Sequence, residues 1–251
     1  MSDRLSPSSG EERYAAERRQ GHEILSDDLE RYWGWSSPAG RIRADRRARF
    51  LVEHGGLRPG TRCLELGCGT GEFTRRLVES GCELTAVELS AELAERCRER
   101  VGPRAEVVVG NIETGEGLED RTFDAIVGVS VLHHVNMDLC LRHTFGRLVP
   151  DGRFAFSEPN LANPQVWAMK NVRFVGRRLH ETEHETAFLS SRLRPRLEDA
   201  GLVVDVCEPF EFLHPATPAR LIRTVERVER LLEASPVRAI AGSIRFAGRR
   251  P

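Results

Sequence analysis

Leu64-Glu65-Leu66-Gly67-Cys68-Gly69-Thr70-Gly71 decides how this chain is read. An apolar strand carrying one acid runs into three glycines at alternate positions, and a helix-forming segment follows. A backbone turns this tightly, and lets a ligand lie on it, only where side chains are absent. Dinucleotide folds use G-x-G-x-x-G, which seats a pyrophosphate on a helix N-terminus. Here the spacing is G-x-G-x-G with Glu65 just before it. That suits a ligand with a cationic amino acid end and no phosphate.

Outward from this loop the chain alternates. The pattern predicts strands at Arg62-Leu66, Glu83-Glu88, Ala105-Val109, Phe123-Val129 and Arg153-Ser157. They are near-continuous apolar runs, the mark of parallel strands buried on both faces. Helices fit between them at Glu72-Ser80, Ala91-Val101 and Met137-Leu148. Ser90 caps the second, and Glu92 and Glu95 favour its positive end. Such alternation implies right-handed crossovers and a doubly wound sheet. Upstream, Ser37-Pro38 reads as an N-cap with proline at the first helical position, opening a helix that Gly55-Gly56 stops. Downstream, a helix around Ser191-Ala200, a strand at Leu202-Cys207, a charged helix at Ala219-Ala234 and a last strand at Ala239-Phe246 are expected.

Composition excludes several classes. The chain has 251 residues, enough for one large α/β domain and a modest appendage. A net charge of -1 argues against a general nucleic-acid or anionic-membrane binder. No apolar run approaches the roughly 20 residues of a membrane span. The N-terminus lacks the apolar core of a signal peptide, so a cytoplasmic location is expected. The six cysteines are scattered without a C-x-x-C pair, which points away from disulfides and zinc.

The acid-bearing strand with its alternate glycines resembles motif I of the class I S-adenosylmethionine (SAM)-dependent methyltransferases. The resemblance implies a Rossmann-like, seven-stranded sheet, mostly parallel with the last strand antiparallel, helices on both faces and an N-terminal helical lid. Residues 1–36 would form the arm and lid. Residues 37–251 would form the core, with acceptor-side insertions at about 160–190 and 209–235. SAM would be the cofactor, S-adenosylhomocysteine (SAH) its product, and no metal is expected.

Ligands in such sheets bind outside the carboxyl ends of the strands. In the resembling family, Gly67, Cys68 and Gly69 pack against the amino acid portion of SAM, and Glu65 lies near its ammonium group. Glu88, with Leu89, ends the second strand about 20 residues past the loop, where an acid meets a ribose diol. Asn111, followed by Ile112, stands where the family often has an acid for the adenine amino group. Its side-chain oxygen can still accept that hydrogen bond without charge, and an asparagine that only closes a turn is the alternative. The stretch Phe123-Asp124-Ala125 to Leu132-His133-His134-Val135 resembles the family's fourth-strand motif. Ser130 and Val131 would pass under the cofactor, and Asp124 reads as an anchor of the strand start. Adjacent histidines make a poor metal pair. One of them is a candidate general base, His134 slightly ahead of His133. Glu158 would either project toward the acceptor as orienter or be tied to backbone amides.

Tyr32, Trp33 and Trp35 are clustered in a chain only 6% aromatic. They read as a lid, or as docking of the arm onto the core. Arg43, Arg46 and Arg47 share one helix side with position 50, a solvated face or a site for the cofactor carboxylate or an anionic substrate. The tail, with Glu158-Pro159-Asn160 and Asn163-Pro164-Gln165, resembles a bacterial branch of the same enzymes. Its histidines His180, His184 and His214 read as surface or packing residues.

The function expected is methyl transfer from SAM to a hydroxyl of a small metabolite, specialised or sugar-like, by in-line displacement with a histidine base. Alternatives are an N-methyltransferase of a small amine, a catalytically silent SAM-binding subunit and a nicotinamide dehydrogenase. The partner expected is a small-molecule acceptor rather than nucleic acid or membrane, in a monomer or homodimer.

Overall fold

The computed structural model describes Tyr14, residues 34–171 and residues 187–251. Tyr32 and Trp33 of the expected lid, the expected helix at 27–32, His180 and His184 lie outside the described residues.

The glycine-loop strand β1 (Arg62–Leu66) sits at the centre of a seven-stranded sheet. Around it lie β2 (Glu83–Glu88), β3 (Glu106–Val109), β4 (Phe123–Val129), β5 (Leu148–Pro159), β6 (Val203–Phe210) and β7 (Ser243–Arg249). The order is β3-β2-β1-β4-β5-β7-β6. The first five strands are parallel, and β7 runs antiparallel between β5 and β6. This is the expected Rossmann-like class, and the order reverses between β1 and β4. The central strands carry no exposed face: Leu64, Leu66, Ala86, Val87, Ile126 and Val127 are buried, as their unbroken apolar runs require.

Helix α1 (Pro38–Gly55) starts and stops where its caps predict. Ser37 Oγ accepts from the Gly40 N–H at 2.9 Å, and Gly56 closes the helix at φ 66°. Helices α2 (Thr74–Leu77), α3 (Ala91–Val101), α4 (Met137–His143), α5 (Pro164–Asn171), α6 (Ser190–Asp199) and α7 (Ile222–Glu233) follow. The anchoring role read for Asp124 is visible: its carboxylate accepts from the Arg62 backbone N–H at 2.9 Å and from its guanidinium at 2.8 Å.

Some boundaries shift for local reasons. Helix α2 begins later than expected, because the glycine turn continues to Phe73, and it tightens into a 3-10 turn at Val78–Ser80. Helix α4 ends at His143, and Phe145–Arg147 form a separate 3-10 turn. The last strand does not start at Ala239. Ser235 caps a 3-10 turn, Pro236–Ile240, by accepting from the Val237 N–H at 3.2 Å, and pairing begins only at Ser243. Helix α5 was hidden in the motif Asn163-Pro164. Asn163 Oδ1 accepts from Gln165 N–H at 3.0 Å and Val166 N–H at 3.1 Å, an N-cap with proline next to it.

Candidate active site

The carboxyl ends of β1, β2, β3 and β4 open onto one cavity of about 990 Å³. Gly67, the first residue past β1, takes φ 62°. A Cβ there would meet Val131 Cγ2 at 2.5 Å, so the glycine is required both by its conformation and by the closeness of the next loop. The Gly67 and Cys68 N–H groups donate to Val87 O, at 2.9 and 3.2 Å, which ties the loop to β2. Ser130, at the end of β4, also takes a left-handed φ of 53°, and its N–H donates to Ser157 O at 2.8 Å.

Of the residues expected from the sequence, Gly67, Cys68, Gly69, Glu88, Leu89, Asn111, Ile112, Ser130, Val131, His133, His134 and Trp35 line this cavity. Glu65 and Glu158 do not; both are buried beneath its wall.

Glu65 is 3% exposed, and its Oε2 has no hydrogen-bond partner among the described residues. Burial pushes its carboxyl up to about 8. A cation brought beside it would satisfy that oxygen. Glu88 presents a carboxylate whose Oε2 accepts from Gly69 N–H at 2.9 Å and Oε1 from Ser90 N–H at 3.0 Å. Burial still holds its proton affinity above the ordinary carboxylate value. Asn111 Oδ1 accepts from Glu113 N–H at 2.9 Å. That is the turn reading, and a carbonyl oxygen keeps a second lone pair for a ligand.

The expectation that Glu158 projects toward an acceptor is corrected. Its side chain is fully buried, because its oxygens are used within the fold. Oε1 accepts from the Val131 and Leu132 N–H groups at 2.9 and 2.8 Å, and Oε2 lies 2.7 Å from His133 Nδ1. Glu158 therefore holds the turn after β4 and orients one histidine. His133 is 6% exposed. Burial, then His134, lower its basicity, and Glu158 opposes them. With Nδ1–H donating to Glu158, Nε2 is the ring's accepting nitrogen. His134 stacks beside it with ring centroids 4.0 Å apart, and its charge acts on Glu88.

Trp35 is buried in the cavity wall, edge-on to Phe73 at 5.3 Å, with the Arg43 and Arg47 guanidinium groups each 5.2 Å from its ring. These arginines are no solvated face. Arg43 pairs with Glu211 at 2.7 Å, and Arg47, almost wholly buried, pairs with the same carboxylate. Burial raises the Glu211 carboxyl, but Arg47 and Arg43 overcome it and bring it down to about 2. Arg46 lies apart, with Glu229 and Glu233.

Several wall residues had no sequence signal. Tyr14 donates to Glu113 Oε2 at 2.9 Å across a separation of 99 residues. Val166 and Met169 of α5 and the segment from Phe212 to Ala216 complete the far wall.

With this geometry in hand, comparison with known proteins is informative. A profile of the methyltransferase domain family matches residues 64–156, from the glycine-loop strand to β5. Over those residues the chain is similar to the methyltransferase domain family, and its seven-stranded sheet has the Rossmann-like order of class I methyltransferases. Nodulation protein S of Rhizobium tropici is 26% identical over 152 residues, 58% of this chain and 63% of that protein. The ubiquinone biosynthesis O-methyltransferase of Xanthomonas axonopodis pv. citri is 27% identical over 184 residues, 70% of this chain and 77% of that one. The chain thus spans less than two thirds of the first relative and more of the second. In fold, the chain is similar to the N-methyltransferase NodS from Bradyrhizobium japonicum WM9 in complex with SAH. The TM-score is 0.64 at 16% identity, over 93% of this chain and 98% of that one.

The site fits the family's methyl donor. The bare glycine backbone, the unsatisfied Glu65 oxygen and the Glu88 carboxylate offer a bed, a partner for an ammonium group and a partner for a diol. Among the described residues, no three histidine, cysteine or acidic side chains group so as to hold a metal ion. No helix among them is long and apolar enough to cross a membrane.

Proposed function

We propose that this protein transfers the methyl group of SAM to a hydroxyl of a small metabolite, specialised or sugar-like, with His133 as general base. The observation that carries this reading is the 2.7 Å contact between His133 Nδ1 and Glu158 Oε2, made by a histidine that lines the cavity. A base is effective when a second group fixes its tautomer, and Glu158 does so. The preference for His134 read from the sequence is therefore exchanged for His133.

When bound, SAM supplies a methyl group already activated by its sulfonium. The chain's own residues supply placement. Gly67 and Gly69 would let the donor lie close to the backbone, Glu88 would accept from its ribose, and Glu65, beneath the wall, would offset the charge of its ammonium group. The cavity walls exclude water and align the acceptor oxygen with the methyl carbon. His133 Nε2 takes the hydroxyl proton, and Glu158 stabilises the imidazolium that results.

His133→Ala should lower kcat by roughly 100-fold or more and leave SAH affinity unchanged. Since burial and His134 lower the basicity of His133 from the ordinary 6.5, the wild-type acid limb should lie below that value. A variant with undiminished turnover removes the base assignment. It would favour the second reading, an N-methyltransferase, since a neutral amine needs no base. That reading is supported by the likeness to an N-methyltransferase and by the match to nodulation protein S.

A further inference from the structure

A net charge of -1 describes the whole chain but not each of its faces. Eight large apolar side chains are exposed among the described residues, and six belong to three adjoining pieces: Trp167, Leu221, Val228, Leu231, Val237 and Ile240. Trp167 is on α5; Leu221, Val228 and Leu231 are on α7 and the turn leading into it; Val237 and Ile240 are on the 3-10 turn after it. Asn163, which caps α5, joins that turn by donating to Ile240 O at 2.9 Å.

Helix α7 has two faces. Inward, Ile222 and Val225 pack with Ala39 and Leu213. Glu229 accepts from the Phe212 and Leu213 N–H groups at 2.5 and 2.9 Å, holding the cavity's far wall. Outward, Leu221, Val228 and Leu231 form a stripe at helical spacing. Beside it runs a second stripe of exposed arginines, Arg223, Arg227 and Arg230. No acid is exposed on this helix: Glu226 is half-buried, and Glu229 and Glu233 face Arg46. An apolar stripe flanked by arginines suits a plane of anionic headgroups over acyl chains. Trp167, 52% exposed, is the residue type that settles at such an interface.

We propose that this face docks on the surface of an anionic lipid bilayer. Leu231, Val228 and Trp167 enter the headgroup boundary, and Arg223, Arg227 and Arg230 meet the headgroup charges. The far wall and α5, whose Val166 and Met169 line the cavity, are thereby brought to the bilayer. Only what then enters the cavity rests on the methyl-transfer reading; docking needs no methyl donor.

The test is co-sedimentation of the full chain with phosphatidylglycerol vesicles and with phosphatidylcholine vesicles, without SAM. Binding is expected to the anionic vesicles, weakening with salt. Leu231→Glu, and the pair Arg227→Glu with Arg230→Glu, should each cut partitioning by about tenfold or more while the thermal midpoint holds. Absence of binding to phosphatidylglycerol overturns the proposal. So does binding that Leu231→Glu and Trp167→Ser leave unchanged, which would be adsorption elsewhere. A dimer in solution that Leu231→Glu dissolves would assign the face to a second copy instead.

Discussion

Glu65 and Glu158 show how little a residue type says about its task. Both are acids near the carboxyl ends of parallel strands, β1 and β5, that flank β4, and both are buried. Glu158 is spent on two amides and an imidazole, whereas Glu65 keeps one oxygen without a partner. The difference has a consequence for binding. With its carboxyl near 8, Glu65 is protonated at pH 7 in the free protein. An ammonium group beside it favours the charged form and drives the proton off. SAH binding at pH 7 should therefore release about one proton, read as a binding heat that varies with buffer ionisation enthalpy. Glu65→Gln should abolish that variation. The place of Glu65 was legible in the sequence from its neighbours; its burial was not, because depth depends on strands far along the chain. For Glu158 the sequence left two readings level, and only the turn after β4, folded back over the carboxylate, separates them.

At the scale of elements, α1 illustrates a run of arginines that looks like a solvated face. Arg43 and Arg47 instead converge on Glu211, which lies just past β6, and Arg47 also reaches Ser243 Oγ at 2.6 Å, where β7 begins. The helix is thus clamped across the sheet's antiparallel edge. Glu211→Ala would strand the buried guanidinium of Arg47 and the partly buried one of Arg43, and should cost about 3–5 kcal/mol in denaturant unfolding. Because its carboxyl is depressed, its stabilising contribution is complete above the unfolded value of roughly 4.3 and is lost as pH falls toward about 2. A wild-type acid transition that the Glu211→Gln variant leaves unmoved would contradict this. The elements themselves were largely legible: Ser37-Pro38, Ser90 and the apolar runs placed α1, α3 and the central strands. Where a proline and a cap belonged to a short 3-10 turn, as at Ser235-Pro236, the local signal did not say how far the turn would run.

For the whole molecule, the sheet's order does what no local signal can. It gathers the ends of four strands at one opening, and the chain's remaining wall comes from Tyr14, from α5 and from the segment after β6. The half of the cavity beside the glycine loop is built from contiguous motifs and could be read ahead. The opposite half is assembled from segments far apart in sequence, and their meeting depends on tertiary packing alone. The measurement that bears most directly on the account is isotopic. The full chain is incubated with methyl-labelled SAM and a pool of hydroxylated and amine metabolites, and the labelled product is read by carbon NMR. An O-methyl signal, lost in His133→Ala, is the result the account predicts. Label found on nitrogen, or no transfer with any acceptor, would contradict it.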